Sequence, residues 1–548
     1  MATVAQPYAQ GYERPALLDW LTTVDHKKLG QMYLYTTFFF FAVAGFLALM
    51  MRTQLAVANN TFLAPETYNE MFSIHGTTMV WLFAIPMWAG FGNYLVPLQI
   101  GASDMAFPRI NALSYWLLPA AGLIVFSGFI FGNAADAGWT SYAPLAEHQH
   151  GPGIDLWALG IIIVGIGSTI GAANFIVTIF RMRAPGMTMF RMPIFTWSIL
   201  ITALLQLMAT PVLASGLSML FIDRNFGGGF FDPTRGGNPL LWQNVFWFYS
   251  HPAVYIMILP GFGIISEIVP VFSRKPLFGY KAMVWSLLAI GALAFSVWAH
   301  HMFTTGAVLK PWFGFMSLMI GVPTGVKFFN WIGTMWRGQI RMDTPMLFAQ
   351  GFLATFLIGG INGVFSAAVP VDFALHDTYF IVAHIHYVLF GGAVFSAFAG
   401  IYFWFPKIWG RRLNERLGKI HFWLMFVAFN VTFFPMHLLG LEGMPRRIVT
   451  YAGSNDWAAI NLTETIAAFG ILVSLLVALF NVVYTFTQPK DQPNDPWESY
   501  SMEWWTTSPP PAHNFDDLPP VVSERPLFDL RHGITEQSQV HPVGAAGG

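Results

Sequence analysis

The chain has 548 residues, of which 55% are hydrophobic, 17% aromatic and only 10% charged, with a formal net charge of -1. A soluble domain carries about 25% charged residues, so this composition excludes an ordinary soluble globule and describes an integral membrane protein; with no basic tract, nucleic acid is not an expected partner. There is no cysteine, which excludes disulfides, iron–sulfur clusters and thiolate metal sites and leaves His, Met or carboxylates to hold any metal.

Residues 1-29 read as a polar N-terminal segment. "MATVAQPYAQGYERPALLDWLTT" has no short apolar core with a cleavage site behind it, so no removable signal peptide is expected, and the first hydrophobic run serves as the insertion signal. A span needs about 20 mostly apolar residues. Twelve runs qualify, near 30-51, 71-99, 113-132, 155-180, 194-221, 241-270, 281-303, 311-335, 346-368, 378-405, 421-441 and 461-487. Barrel strands are roughly 10 residues long and alternate in polarity; these runs are too long and too uniform. The expected fold is all-α: twelve transmembrane helices within a single domain, 30-487.

The loops carry an orientation signal. Lys27, Lys28, Arg109, Arg181, Arg183, Arg191, Arg274, Lys275, Lys281, Arg337, Arg341, Lys407, Arg411, Arg412, Arg416 and Lys419 fall on the N-terminal flank and every second loop. Only Arg52, Arg224, Arg235, Lys310, Arg446 and Arg447 fall on the others. The rich side is cytoplasmic by the positive-inside rule, and both termini with it. The tail, 488-548, is Pro-rich and polar and reads as an extended cytoplasmic segment lying on the protein or on a partner.

Six histidines lie inside these runs: His75, His251, His300, His301, His384 and His386. An ionisable group in a span is costly and by default functional. A lone one is often a satisfied interior side chain bonded to another helix; six together are not read that way. His384 and His386 point about 200° apart on a helix, so one helix offers an imidazole to each of two neighbours, an arrangement that suits two haems with axial His. His75 is placed to complete a six-coordinate haem from the other side. His300 and His301 are adjacent, about 100° apart on an α-helix. With His251 they make three imidazoles and no thiolate, a set that suits copper, zinc or iron.

Five stretches, "HPAVY", "WAHHMFTTG", "VPTGVKFFNWIGTMW", "HDTYFIVAHIHYVLFGG" and "GMPRRIVTYA", resemble the signature segments of subunit I of the haem–copper oxygen reductases, most closely the A family of cytochrome c oxidases. The resemblance runs from about residue 24 to 515. It implies a helical bundle around two haems and a copper that reduces O2 to water with electrons from cytochrome c, coupled to proton translocation. By similarity His75 and His386 ligate the low-spin haem a, His384 is the proximal ligand of the high-spin haem a3, and His251, His300 and His301 hold copper B. Tyr255, one turn from His251, resembles the tyrosine joined to it covalently in the family, whose phenol supplies an electron and a proton when the O–O bond breaks.

The resemblance also implies two proton pathways. Lys327, Thr324, Ser317 and Ser266 resemble the K pathway; Asp104, Asn93 and Asn111 resemble the mouth of the D pathway. The family's commonest form ends the D pathway with a glutamate in "HPEVY", and here that position is Ala253. Tyr249 and Ser250 precede the histidine instead, as in an A-family subgroup whose YSHP hydroxyls take the glutamate's place. Arg446 and Arg447 resemble the pair that clamps haem propionates, with Trp139 and Asp372 nearby. His376 and Asp377 resemble ligands of a Mg2+ or Mn2+ site at the interface with subunit II. Arg52 resembles the arginine that bonds the haem a formyl group. Subunit II, carrying the two-copper centre, and subunit III, with or without small subunits, are the implied partners in a bacterial plasma membrane. A quinol oxidase is disfavoured by Ala56, Thr67 and Glu70, where that branch carries Asp, His and Gln. A nitric oxide reductase is disfavoured by Tyr255, and a twelve-span transporter by the histidines.

Overall fold

A computed structural model describes residues 15–454, 456–490 and 492–534; the expected terminal segments 1-29 and 488-548 therefore fall partly outside the described residues. Twelve helices are long and apolar enough to cross a membrane: α1 (His26–Gln54), α2 (Pro65–Ile100), α3 (Pro108–Ile130), α4 (Gly153–Arg181), α5 (Ile194–Phe226), α6 (Pro239–Ser273), α7 (Tyr280–Thr305), α8 (Lys310–Met335), α9 (Thr344–Ala367), α10 (Tyr379–Trp409), α11 (Glu415–Leu441) and α12 (Trp457–Phe486). Each covers one predicted run. The helix starts carry local chemistry that frees few donors: Asp25, Asn238, Thr378 and Asn414 accept backbone N–H bonds at the starts of α1, α6, α10 and α11, and Pro sits in the first turn of several helices, where its missing N–H costs nothing.

Neighbours in sequence pack as neighbours in space: α1 on α2, α3 on α4, α4 on α5, α5 on α6, α9 on α10 and α11 on α12. Burial is uneven. In α2, α6 and α10, 89%, 83% and 78% of the most apolar stretch is enclosed by protein, against 22% in α12. The three most enclosed helices are those that carry His75, His251 and the His384–His386 pair. Apolar side chains face outward on the rim, as a lipid-facing surface requires.

These helices leave regular α geometry near their histidines. A π-helical stretch, Thr78–Ala84, follows His75 in α2, and another, Leu389–Val394, follows His386 in α10. His300 and His301 lie in a 3₁₀ stretch, Trp298–Thr305. The 100° expected between them assumed α geometry; at three residues per turn the step is about 120°. Wider and tighter turns of this kind recur at functional sites.

The described part of the tail does not float free. It covers the end of the bundle where α1 and α5 begin and α2, α6 and α10 finish. Trp497 Nε1 donates to the Phe403 carbonyl at 2.8 Å. Lys407 Nζ donates to the Thr506 carbonyl at 2.8 Å. Asn514, fully buried, accepts from Lys27 Nζ at 2.8 Å and bonds the His26 ring. Glu503, also fully buried, accepts from Trp404 Nε1 (3.0 Å), Gln99 Nε2 (3.3 Å) and Ser501 Oγ (2.9 Å). Glu503→Ala leaves buried donors on α2 and α10 unpaired, each costing about 1–3 kcal/mol. The expected result is a lower thermal midpoint of the purified complex and faster proteolytic release of the tail.

Candidate functional site

Three imidazoles converge where α6 meets α7. His251 Nδ1 lies 3.3 Å from His301 Nε2, and His300 Nε2 lies 3.0 Å from the same atom. One ligand atom from each residue falls within 4.8 Å of the others. A metal about 2 Å from each of three imidazole nitrogens leaves them roughly 3.3–3.5 Å apart, and the 3.3 and 3.0 Å separations about His301 Nε2 are close to that spacing. The Ser317 hydroxyl donates to the Phe313 carbonyl at 2.5 Å and so accepts from His300 Nδ1 at 2.7 Å, which leaves His300 Nε2 as the bare nitrogen facing the cluster. Ser317 thus supports a histidine of the cluster, a contact additional to the pathway role that the resemblance implies for it.

Two further groups fix the cluster. The Trp247 ring lies flat on His301, centroids 3.7 Å apart and planes within 13°, and its Nε1 donates to the Tyr142 hydroxyl at 2.6 Å. Sequence reasoning passed over Trp247, because a tryptophan in an apolar run carries no signal of which ring it covers. Tyr255 packs edge-on to His251, centroids 4.9 Å apart. His251 Nε2 is buried with no hydrogen-bond partner, an orphaned nitrogen that suits a covalent or metal bond better than it suits packing.

A second constellation sits between α2 and α10. The rings of His75 and His386 lie 6.5 Å apart with planes within 17°. Two metal–nitrogen bonds of about 2 Å in line, with the offset of each nitrogen from its ring centre, span roughly 6 Å. In all three histidines of this region Nδ1 faces a backbone carbonyl: His75 to Ala44 at 2.9 Å, His386 to Val382 at 2.8 Å and His384 to Gly359 at 3.1 Å. That bond leaves each Nε2 free as a ligand. The Phe433 ring lies on His386 at 4.2 Å. A Cβ on Gly363 would sit 3.2 Å from His384 Cε1, so the glycine keeps space open beside that imidazole. The donor set therefore fits two haems and a copper.

The loops at the opposite end from the tail bring Arg446, Arg447, Trp139, Asp372, His376 and Asp377 together. Arg446 Nε donates to Asp377 Oδ1 at 2.6 Å. Asp377 stays below the usual carboxylate range: burial alone would raise it, but Arg446 and His376 outweigh burial. Asp372 is buried, its Oδ2 accepts no hydrogen bond, and it lies 3.6 Å from His376 Nδ1. Arg447 packs over Phe72 and against Gly138, whose φ of +78° and absent side chain admit the guanidinium; burial and the Arg446 charge pull it down to about 10, so it remains a cation. Arg52 Nη2 is held by Glu464 (3.1 Å) and by Asn461, while its Nε and Nη1 are buried without partners. Those two unfilled donors are what a buried carbonyl group would satisfy.

The proposed pathway residues fall in two chains. Asn111 Nδ2 donates to Asn93 Oδ1 at 2.6 Å, and Ser114 bonds both Tyr33 and the Asn111 carbonyl. Asp104 lies in the loop below them, its carboxyl pushed up to about 6 by burial. Tyr249 lines a cavity with Ser168 and Thr210, and Ser250 is buried beside it with an unpaired hydroxyl. On the other side Lys327, fully buried, donates to the Met283 carbonyl at 3.2 Å and sits over Phe262, one turn before Ser266. Thr324 is one turn before Lys327 on α8.

The family described as cytochrome c and quinol oxidase polypeptide I matches residues 28–473. A putative cytochrome c oxidase subunit 1-beta of Streptomyces coelicolor is 55% identical, over 96% of this chain and 93% of that protein. A cytochrome c oxidase subunit 1 of Corynebacterium efficiens is 50% identical, over 96% and 92%. A solved haem–copper terminal oxidase dimer shares the fold, with a TM-score of 0.75 over 92% of this chain and 89% of that one, at 16% identity.

Ser317→Ala removes the acceptor that orients His300. Copper content of the purified complex is expected to fall, with an affinity loss of about 10–100-fold, while both haems stay in place; unchanged copper would show that His300 needs no such support.

Proposed function

Because the chain belongs to the cytochrome c and quinol oxidase polypeptide I family, we propose a reading of its site in full. The chain is the catalytic subunit of a cytochrome c oxidase: it reduces O2 to water with electrons from cytochrome c and couples this to proton translocation. The observation that carries the residue-level reading is the buried triad of His251, His300 and His301, with ligand atoms within 4.8 Å, beside two imidazoles 6.5 Å apart.

On this reading His75 and His386 hold the low-spin haem a, His384 holds the high-spin haem a3, and the triad holds copper B. Bound there, haem iron and copper supply the electrons and the binding site for O2. The chain's own residues do the rest. Carbonyls and Ser317 orient the ligand nitrogens, Trp247 and Phe433 keep water off two of the rings, and Tyr255 offers a phenol proton beside His251. Arg446 and Arg447, with Trp139 and Asp372, neutralise the haem propionates. Arg52 turns its free donors to the haem formyl. His376 and Asp377 bind Mg2+ or Mn2+ with subunit II, displacing Arg446 from Asp377 in part.

Protons reach the site by two routes. Asp104, Asn93 and Asn111 admit them to the cavity at Tyr249, where hydroxyls rather than a carboxylate order the water chain. A phenol has a pKa near 10, so Tyr249 passes protons through ordered water instead of storing them. Ser266, Ser317, Thr324 and Lys327 lead toward Tyr255. Subunit II carries the two-copper centre that receives electrons, subunit III completes the assembly, and the complex sits in a bacterial plasma membrane with both termini cytoplasmic. The twelve-helix unit, 30-487, is the catalytic domain, and 488-548 is a tail whose described part covers its cytoplasmic end.

Reduced-minus-oxidised spectra with and without CO are the direct test. Two haems, one binding CO, with α-bands at the haem A position are expected; a complex without haem would overturn the reading. Tyr249→Phe should slow turnover by about tenfold and leave the haem spectra unaltered, and unchanged turnover with unchanged pumping would dismiss the hydroxyl's role.

A further inference from the structure

A small cleft with about 30 Å³ of space for water lies between the tail, the start of α5 and the end of α6. Ser266, Glu267, Tyr500, Ser501, Glu524 and Arg525 line it together with apolar side chains of α5 and α6. Polar and apolar groups both line it, and its space exceeds the ~10–15 Å³ that one ordered water needs. Its inner wall is Ser266, whose Oγ accepts from Trp331 Nε1 at 3.0 Å, one turn along α8 from Lys327. Its outer wall is the tail.

Glu267 is the carboxylate between them. It is half-buried while both its neighbours, Ser266 and Ile268, are buried, so its accessible part faces the cleft. It accepts the Phe195 N–H at 3.1 Å at the start of α5. No cation pairs with it in the described structure. Two more carboxylates from the tail, Glu503 and Glu524, act on it, and Arg525, also in the cleft, lies 3.9 Å from Glu524 rather than pairing with Glu267. Burial lifts both of those above the usual carboxylate range. An anion held among anions readily takes up a proton.

We propose that Glu267 is the proton-loading group of the Lys327 pathway, taking protons from water in the cleft that the tail roofs and handing them to the water beside Ser266. The pathway then has its carboxylate on this chain. Each proton taken onto Glu267 leaves as one proton passed inward, so the carboxylate returns to its starting charge. The inference rests on the reading of Ser266 and Lys327 as a pathway. The competing role is structural, since a carboxylate at a helix start also caps it.

The experiment uses the purified complex carrying Glu267→Gln, Lys327→Met or both. Gln keeps an acceptor for the Phe195 N–H, so α5 stays capped. Glu267→Gln is expected to slow turnover at least about tenfold, with haem spectra and copper content unchanged. In anaerobic stopped flow it should slow reduction of the CO-binding haem while the other haem is reduced at the normal rate. The double variant should be no slower than Lys327→Met alone, because both changes block one route. Normal turnover of Glu267→Gln with slow Lys327→Met overturns this inference and leaves the pathway standing. Normal turnover of Lys327→Met overturns the pathway itself. Additive losses would assign Glu267 to a separate structural role and also overturn the inference. If Glu267→Gln fails to assemble, Glu267→Asp is the second variant. It keeps the acid, so it should retain more turnover than any amide variant that assembles; equal loss in both would overturn the proposal.

Discussion

An imidazole buried inside a membrane bundle must find something for both of its nitrogens, and most of this molecule is arranged around that demand. Water is absent there, and an unsatisfied polar atom costs free energy that apolar packing does not return. His75, His384 and His386 meet half of it with a backbone carbonyl at Nδ1. His300 meets it with Ser317. The Nε2 of His75, His384 and His386 meets no hydrogen-bond partner among the described residues, while that of His300 faces His301 Nε2 at 3.0 Å. The three most enclosed helices, α2, α6 and α10, carry four of the six imidazoles, and the half-enclosed α7 carries the other two.

The irregular turns belong to the same constraint. A straight α-helix repeats its hydrogen bonds every turn and places side chains on a fixed lattice. The π-helical stretches after His75 and His386 and the 3₁₀ stretch at His300 and His301 shift that lattice locally. They let adjacent residues converge on one point, as the 3.0 Å contact between His300 and His301 requires. The cost in helix regularity is borne where the bundle packs most tightly around it.

Polar groups elsewhere in the bundle are grouped rather than scattered. One group runs from Asp104 through Asn93 and Asn111 toward Tyr33 and Ser114, another from the tail-side cleft past Ser266 to Lys327. Each group satisfies part of its own hydrogen bonding, so neither is a random defect in an apolar interior. The tail closes the end from which both start. It does so with buried side chains, Glu503 and Asn514, that tie α1, α2 and α10 together.

What the sequence determined by itself was local. Run length and hydropathy placed all twelve spans, since the bilayer imposes one length on every crossing helix. Residue type singled out the six histidines, and spacing separated the pair in α10 from the triad. The resemblance of five short stretches to one family supplied the roles now proposed for them. Other properties needed the folded chain. Which nitrogen of each imidazole is free depends on carbonyls 4 to 31 residues away. That Ser317 orients His300, that Trp247 covers His301 and that Glu267 faces a cleft are facts about surfaces brought together by packing. The tail reads from its composition as an extended polar segment lying on the protein or on a partner, without saying where. It docks because Asn514 meets His26, 488 residues earlier. No local pattern encodes such a contact; it exists only once twelve helices have set His26 and Asn514 side by side.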